Sequence, residues 1–210
     1  MDAAHTDGGS PAGIGDSRGG HDQAPSSDAV ARFRGELLAD WLPVLEGVIA
    51  RLEGGARVAD IRCGHGYTTT RMAASFPHSI FWGFDPHAPA IGQARENAAL
   101  TAHEGRLHYA VADEADYPCA GFDLICFFDG LRDAGDPLGG ARHAAQALAP
   151  GGTVVVVERS TEQGLAEVFA AAGFALVRRA TRTPFNLVLE GRVQAVQQPC
   201  HEAPGADSHE

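Results

Sequence analysis

Gly64-His65-Gly66 and Asp85 are the residues whose types and spacing first suggest chemistry. The apolar stretch Val58-Ala59-Asp60-Ile61 runs through Arg62 and Cys63 into the Gly64-x-Gly66 turn, and Tyr67-Thr68-Thr69-Thr70 then opens a predicted helix. Glycines at such a turn let the backbone approach a ligand, and a helix N-terminus offers N–H groups without intrahelical partners. This is the build of a nucleotide- or cofactor-binding turn. Asp85 stands 19 residues after Gly66. A carboxylate ~20 residues past such a turn accepts hydrogen bonds from ribose hydroxyls in strand–helix folds. Two further predicted strands end on Asp113 and Asp129. A lone aspartate at a strand end is ordinarily a solvated turn or a helix cap; the glycine turn and the spacing together assign Asp85 to a ribose.

The elements that must position these residues follow from periodicity. Leu37, Leu38, Trp41, Leu45, Val48, Ile49 and Leu52 continue a three- and four-residue repeat begun by Phe33, which predicts helices divided at Pro43 and ended by Gly54-Gly55. Ile80 to Phe84, Leu107 to Ala112, Asp123 to Phe128 and Thr153 to Val157 read as buried strands. Helices are predicted from Pro89 to Leu100 and from an Asp136 N-cap through Leu148, the latter broken by Pro150-Gly151-Gly152. A capping box at Ser160 to Gln163 opens one more, with Leu165, Val168, Phe169 and Ala172 as its buried stripe. Phe174 to Ala180 and Phe185 to Val193 are joined by too few residues for a crossover, so they must run antiparallel. The expected fold is α/β, a doubly wound, mostly parallel seven-stranded sheet with an antiparallel C-terminal strand. Its ligands bind at the carboxyl ends of the strands.

Composition narrows the partners. The formal charge of -11 over 210 residues opposes a nucleic-acid surface, which needs clustered Lys and Arg. No apolar run approaches the ~18 residues of a membrane span. The polar, Gly-rich start is unlike a signal peptide, so a cytoplasmic location is expected. Residues 1–27 and 197–210 are expected to be disordered tails around one domain at 28–196. Cys63, Cys119, Cys126 and Cys200 show no paired spacing and are expected to be free thiols. The ten histidines lack metal-ligand spacing, and no metal site is expected.

From Leu37 to Val193 the chain resembles the class I S-adenosylmethionine-dependent methyltransferases, whose fold is Rossmann-like. Val58 through Tyr67 is similar to their first motif, with Asp60, Arg62, Cys63, Gly64 and Gly66 in cofactor-binding positions. Asp85, followed by Pro86, matches the ribose-binding acid. Asp113-Glu114-Ala115-Asp116-Tyr117-Pro118 is similar to the adenine-holding segment, which implies the Asp113 side chain and the Glu114 backbone as contacts. Phe122 to Asp129 resembles the fourth motif, which faces the methyl acceptor and brings Phe128 to the cleft. Gly83-Phe84-Asp85, Phe127-Phe128-Asp129 with Asp136-Pro137, and Thr183-Pro184-Phe185-Asn186-Leu187 resemble bacterial members that carry an N-terminal winged-helix domain. The resemblance implies S-adenosylmethionine as cofactor and a small-molecule acceptor; with the composition, neither nucleic acid nor membrane is expected as partner, and a homodimer is left open.

The chain departs from that pattern at three places. Arg62 stands where the first motif usually has glycine. It is either strained, if its φ is positive, or paired with the cofactor carboxylate. Arg132 stands where the winged-helix relatives have histidine, and only Arg159 to Gln163 follows strand five where they carry a longer insertion. Candidates beside the transferred methyl are His65, Asp129 and Arg132. The competing reading is a non-catalytic S-adenosylmethionine-binding or scaffold protein with a degenerate site. A nicotinamide-dependent oxidoreductase is disfavoured, since Thr69 stands where a third glycine belongs.

Overall fold

The computed structural model describes residues 36–131, 134–158, 164–182 and 186–194. Expectations for the two tails, Phe33, Arg132, the capping box and Thr183-Pro184-Phe185 lie outside these residues. Seven strands form one sheet: β1 Arg57–Ile61, β2 Ile80–Asp85, β3 Leu107–Val111, β4 Phe122–Phe128, β5 Leu148–Glu158, β6 Leu176–Arg182 and β7 Leu187–Arg192. Their order is β3-β2-β1-β4-β5-β7-β6. β1 to β5 are parallel, and β7 runs antiparallel to both neighbours, as the short connection before it requires. The described helices are α1 Val48–Gly54, α2 Tyr67–Ser75, α3 Ala88–Ala99, α4 Pro137–Ala147 and α5 Leu165–Ala171.

Side-chain alternation along the strands builds two cores. Val58, Phe81, Leu124, Cys126 and Val155 pack with Leu52, Met72, Ile91 and Ala94 of the helices α1 to α3. Ala59, Ile61, Ile125, Phe127, Val154 and Val156 face the other way, onto Ala144, Leu165 and Phe169 of α4 and α5. Full burial of a side chain such as Phe127 contributes about 2–3 kcal/mol. Strand order reverses between β1 and β4, the switch point at which sheets of this kind form a crevice beyond the strand ends.

Pro43 divides the N-terminal stretch as expected, between a π-helical turn at Leu37–Trp41 and α1. Gly55, at φ 105, ends α1. Asp136 caps α4, its Oδ1 accepting from the Gly139 N–H at 2.9 Å. Two expectations are corrected. Pro150-Gly151-Gly152 does not precede β5 but lies within it: Phe122 already pairs with Leu148, and Gly151 at φ 74 takes up the register shift. Cys119 is disulfide-bonded, while Cys63 and Cys126 are free. Sequence spacing carried no trace of that bond, because pairing depends on which loops the fold brings together. No helix among the described residues is long and apolar enough to cross a membrane.

Candidate functional site

The turn after β1 is held from every side. The Cys63 N–H donates to the Phe84 carbonyl at 3.0 Å, and the Gly66 N–H closes the turn on the Cys63 carbonyl at 3.0 Å. Asn97 of α3 donates from Nδ2 to the His65 carbonyl at 3.1 Å, and the Tyr109 hydroxyl of β3 donates to the Gly66 carbonyl at 3.2 Å. Gly64 and Gly66 have φ of 55 and 73, so both use left-handed backbone that glycine tolerates best. Their surroundings differ. A Cβ on Gly66 would stand 2.5 Å from the Tyr109 hydroxyl, whereas one on Gly64 would meet nothing within 4 Å. Gly66 is required by internal packing, whereas the space beside Gly64 is open.

α2, which begins at this turn, has poor intrinsic propensity, with three threonines in its first four residues and no side-chain cap. Tertiary contacts supply what propensity lacks. Thr69 Oγ1 donates to Asp60 Oδ2 at 2.6 Å, and Arg106 donates to the carbonyls of Ala73 in the helix's last turn and of Phe76 and Ser79 beyond it.

Two carboxylates flank the turn. Asp85 closes onto it: Oδ2 accepts from the Gly64 N–H and Oδ1 from the His87 N–H, each at 2.9 Å. The group is thereby aimed across the mouth of the turn, and each oxygen retains a lone pair for a hydroxyl donor. Asp60, the second-to-last residue of β1, is 1% exposed. Burial pushes its carboxyl up to about 7 from an ordinary 3.8, the Thr69 hydrogen bond opposing and the charge of Asp85 adding to the rise. Burial, with the charges of Asp60 and Asp85, also pushes the Cys63 thiol up, so it is no thiolate nucleophile.

Two residues with side chains carry positive φ among those described, Arg62 at 60 and Asp129 at 54. They stand at the ends of the adjacent strands β1 and β4, at the reversal of strand order. Backbone strain of this kind collects at functional sites. The Arg62 side chain crosses Gly130, where an added Cβ would lie 3.0 Å from Arg62 Cβ, and its Nη1 donates to Glu114 Oε2 at 3.3 Å. Glu114 is buried against Gly140 of α4. The Asp129 N–H donates to the Val157 carbonyl at 2.8 Å, and Glu158 Oε1 accepts from the Leu131 N–H at 3.0 Å.

The fold thus gathers Asp60, Arg62, Cys63, Gly64, Gly66, Asp85, Glu114 and Asp129 around one crevice. Pro86 and Asp113 are exposed at its rim, and Asp113 Oδ1 is engaged locally by the Ala115 N–H at 2.8 Å. Phe128 is half-buried and stacks on Trp41 at 6.3 Å. His65 is half-buried on the turn, edge-on to Tyr67 at 6.1 Å. Sequence reasoning missed Thr69, Asn97, Tyr109 and Glu158. Glu158 ends a strand on an acid, as Asp85 does, and could have been noted; the hydroxyl of Tyr109 and the amide of Asn97 carry no signal outside the fold.

Such a crevice, with glycine turn, strand-end acid and antiparallel closing strand, defines a cofactor-binding α/β protein of the methyltransferase type. The chain matches the Methyltransferase domain family over residues 30–186, and it belongs to that family. It is 32% identical over 108 residues to the ubiquinone/menaquinone biosynthesis C-methyltransferase of Geotalea daltonii, covering 50% of this chain and 46% of that protein. It is 33% identical over 119 residues to the ubiquinone biosynthesis O-methyltransferase of Aromatoleum aromaticum, covering 56% of this chain and 48% of that protein. The chain spans about half the length of these curated relatives. Its fold superposes, with a TM-score of 0.62 and 19% identity, on an O-methyltransferase from neocarzinostatin biosynthesis in complex with S-adenosyl-L-homocysteine and 1,4-dihydroxy-2-naphthoic acid, covering 79% of this chain and 56% of that one. The fold and family are those of the class I S-adenosylmethionine-dependent methyltransferases.

Proposed function

We propose that this protein transfers a methyl group from S-adenosylmethionine to a small-molecule acceptor. The observation that carries this reading is the Asp85 carboxylate clasped by the Gly64 N–H at the open side of the glycine turn. That geometry fits a ribose against Asp85 and an amino-acid moiety over Gly64, with Arg62, Cys63 and Gly66 shaping the floor and Asp60 buried beneath it. The rim residues Asp113 and Pro86, with the Glu114 backbone, flank the place for adenine, and Phe128 borders the acceptor side.

When bound, the cofactor supplies an electrophilic methyl on a sulfonium sulfur, which an acceptor lone pair attacks in line as sulfur leaves. The protein's share is proximity, orientation and exclusion of water. Acidic acceptors need no base. For a poorly acidic hydroxyl, His65 and Asp129 are the described candidates to take the proton; Arg132, a candidate beside the methyl from the sequence, is a permanent cation that can orient an acceptor but not deprotonate it. Relatives named for methyl transfer in ubiquinone and menaquinone biosynthesis support phenolic or hydroquinone acceptors as the class to try first.

Incubation with methyl-labelled S-adenosylmethionine and a panel of phenols, hydroquinones and carboxylic acids tests the reading. Label in an extractable small molecule is expected. Tight cofactor binding with no transfer to any panel member would instead favour the scaffold alternative.

A further inference from the structure

We propose that Arg62 is a positioning residue of the cofactor crevice, acting through Glu114. A long side chain on a left-handed backbone is unfavourable, and glycine would relieve it. What the side chain does must offset that. It runs over Gly130, with Cβ and Cδ 3.0 and 3.1 Å from where a Cβ would stand, and its guanidinium ends 3.3 Å from Glu114. The paired side chains are 19% and 8% exposed, so neither charge is well solvated. Glu114 in turn rests against Gly140, its Cγ 2.9 Å from a Cβ built there. The pair of side chains therefore ties the loops after β1, β3 and β4 to the first turn of α4. These are the loops that form the crevice.

The pair is also neutral as a unit in a place that must accept a cationic sulfonium before transfer and a neutral thioether after it. Removing one member leaves an uncompensated charge in a poorly solvated site. A bare Arg62 disfavours the sulfonium; a bare Glu114 favours it. This inference rests on S-adenosylmethionine being the ligand of the crevice. Calorimetric titration with S-adenosylmethionine and S-adenosylhomocysteine separates positioning from generic stabilisation, because loss of structure weakens both ligands alike.

Glu114→Gln is expected to lower affinity for S-adenosylmethionine at least about threefold more than for S-adenosylhomocysteine. Arg62→Gln and Arg62→Gly shift the ratio the opposite way, and Arg62→Lys keeps it within about twofold of wild type. An unmoved ratio in both Glu114→Gln and Arg62→Gln, or an Arg62→Gly protein that binds both ligands as wild type does, overturns the role while leaving the cofactor reading intact. Wild type that binds neither ligand removes the cofactor reading and the role with it. Because Glu114→Gln is isosteric and Arg62→Lys and Arg62→Gln keep a long side chain over Gly130, the test stands even where Arg62→Gly does not fold.

Discussion

Asp60 shows how one carboxylate can be turned into a near-neutral titrating group by placement alone. Its folded value of about 7 lies above the ordinary 3.8, mainly through burial. A carboxyl whose folded pKa is raised favours the fold in its protonated form. Its contribution is full below pH ~4 and is lost as pH rises through about 7. Asp60→Asn should therefore gain melting temperature relative to wild type at pH 8 more than at pH 5; an equal difference at both would show that the ionisation is not linked to folding. A bound sulfonium favours the ionised form, so cofactor binding near neutrality should release protons, which titration in buffers of different ionisation enthalpy detects. At Asp85 the expected effect is on affinity. Asp85→Ala removes charge-assisted hydrogen bonds and should weaken S-adenosylhomocysteine binding by about 1–3 kcal/mol. Unchanged affinity in a calorimetric titration removes Asp85 from the site.

At the scale of elements, β2 and β3 support the turn more than their sequences announce. Gly83 sits under the Tyr109 ring, and a Cβ there would stand 2.5 Å from ring carbons and 2.8 Å from Cys63 Sγ. Gly83→Ala should cost about 1–3 kcal/mol by overpacking, visible in chemical denaturation, and should weaken cofactor binding because Tyr109 and Cys63 both carry the turn. Tyr109→Phe keeps the ring and loses only the hydroxyl that reaches Gly66 and Thr70, so about 1 kcal/mol is expected. The hydroxyl's own pKa is pushed up to about 12 by burial, so it remains a donor across the accessible pH range.

For the whole molecule, a charged cluster joins the two ends of the described chain. Glu190 of β7, fully buried, pairs with Arg178 of β6 and with Arg192, 2.8 Å from its Oε1. Arg178 also donates to the Val44 carbonyl at 3.0 Å, so the β6–β7 hairpin is bonded to the segment before α1. Breaking a buried pair costs about 3–5 kcal/mol when the remaining charge is stranded. Here the arginines are 36% and 27% exposed and can turn to water, so Glu190→Gln should cost less, about 1–3 kcal/mol in denaturant unfolding. Cooperative single-step unfolding at unchanged midpoint would show that the cluster is dispensable.

What the sequence by itself determined is what is local or periodic. Strand runs such as Val154 to Val157, the Asp136 cap, the Gly64-x-Gly66 turn, its spacing to Asp85 and the short connection that forces β7 antiparallel are all written within a few residues of where they act. What only tertiary structure decided is what depends on distant segments meeting: the disulfide at Cys119, the hold of Asn97 and Tyr109 on the turn, and the burial of Asp60. Arg62 belongs to both. Its identity as a side chain at a glycine position is legible in the motif, but its choice of Glu114 as partner depends on the loop after β3 being carried across the sheet, and no local pattern encodes that distance.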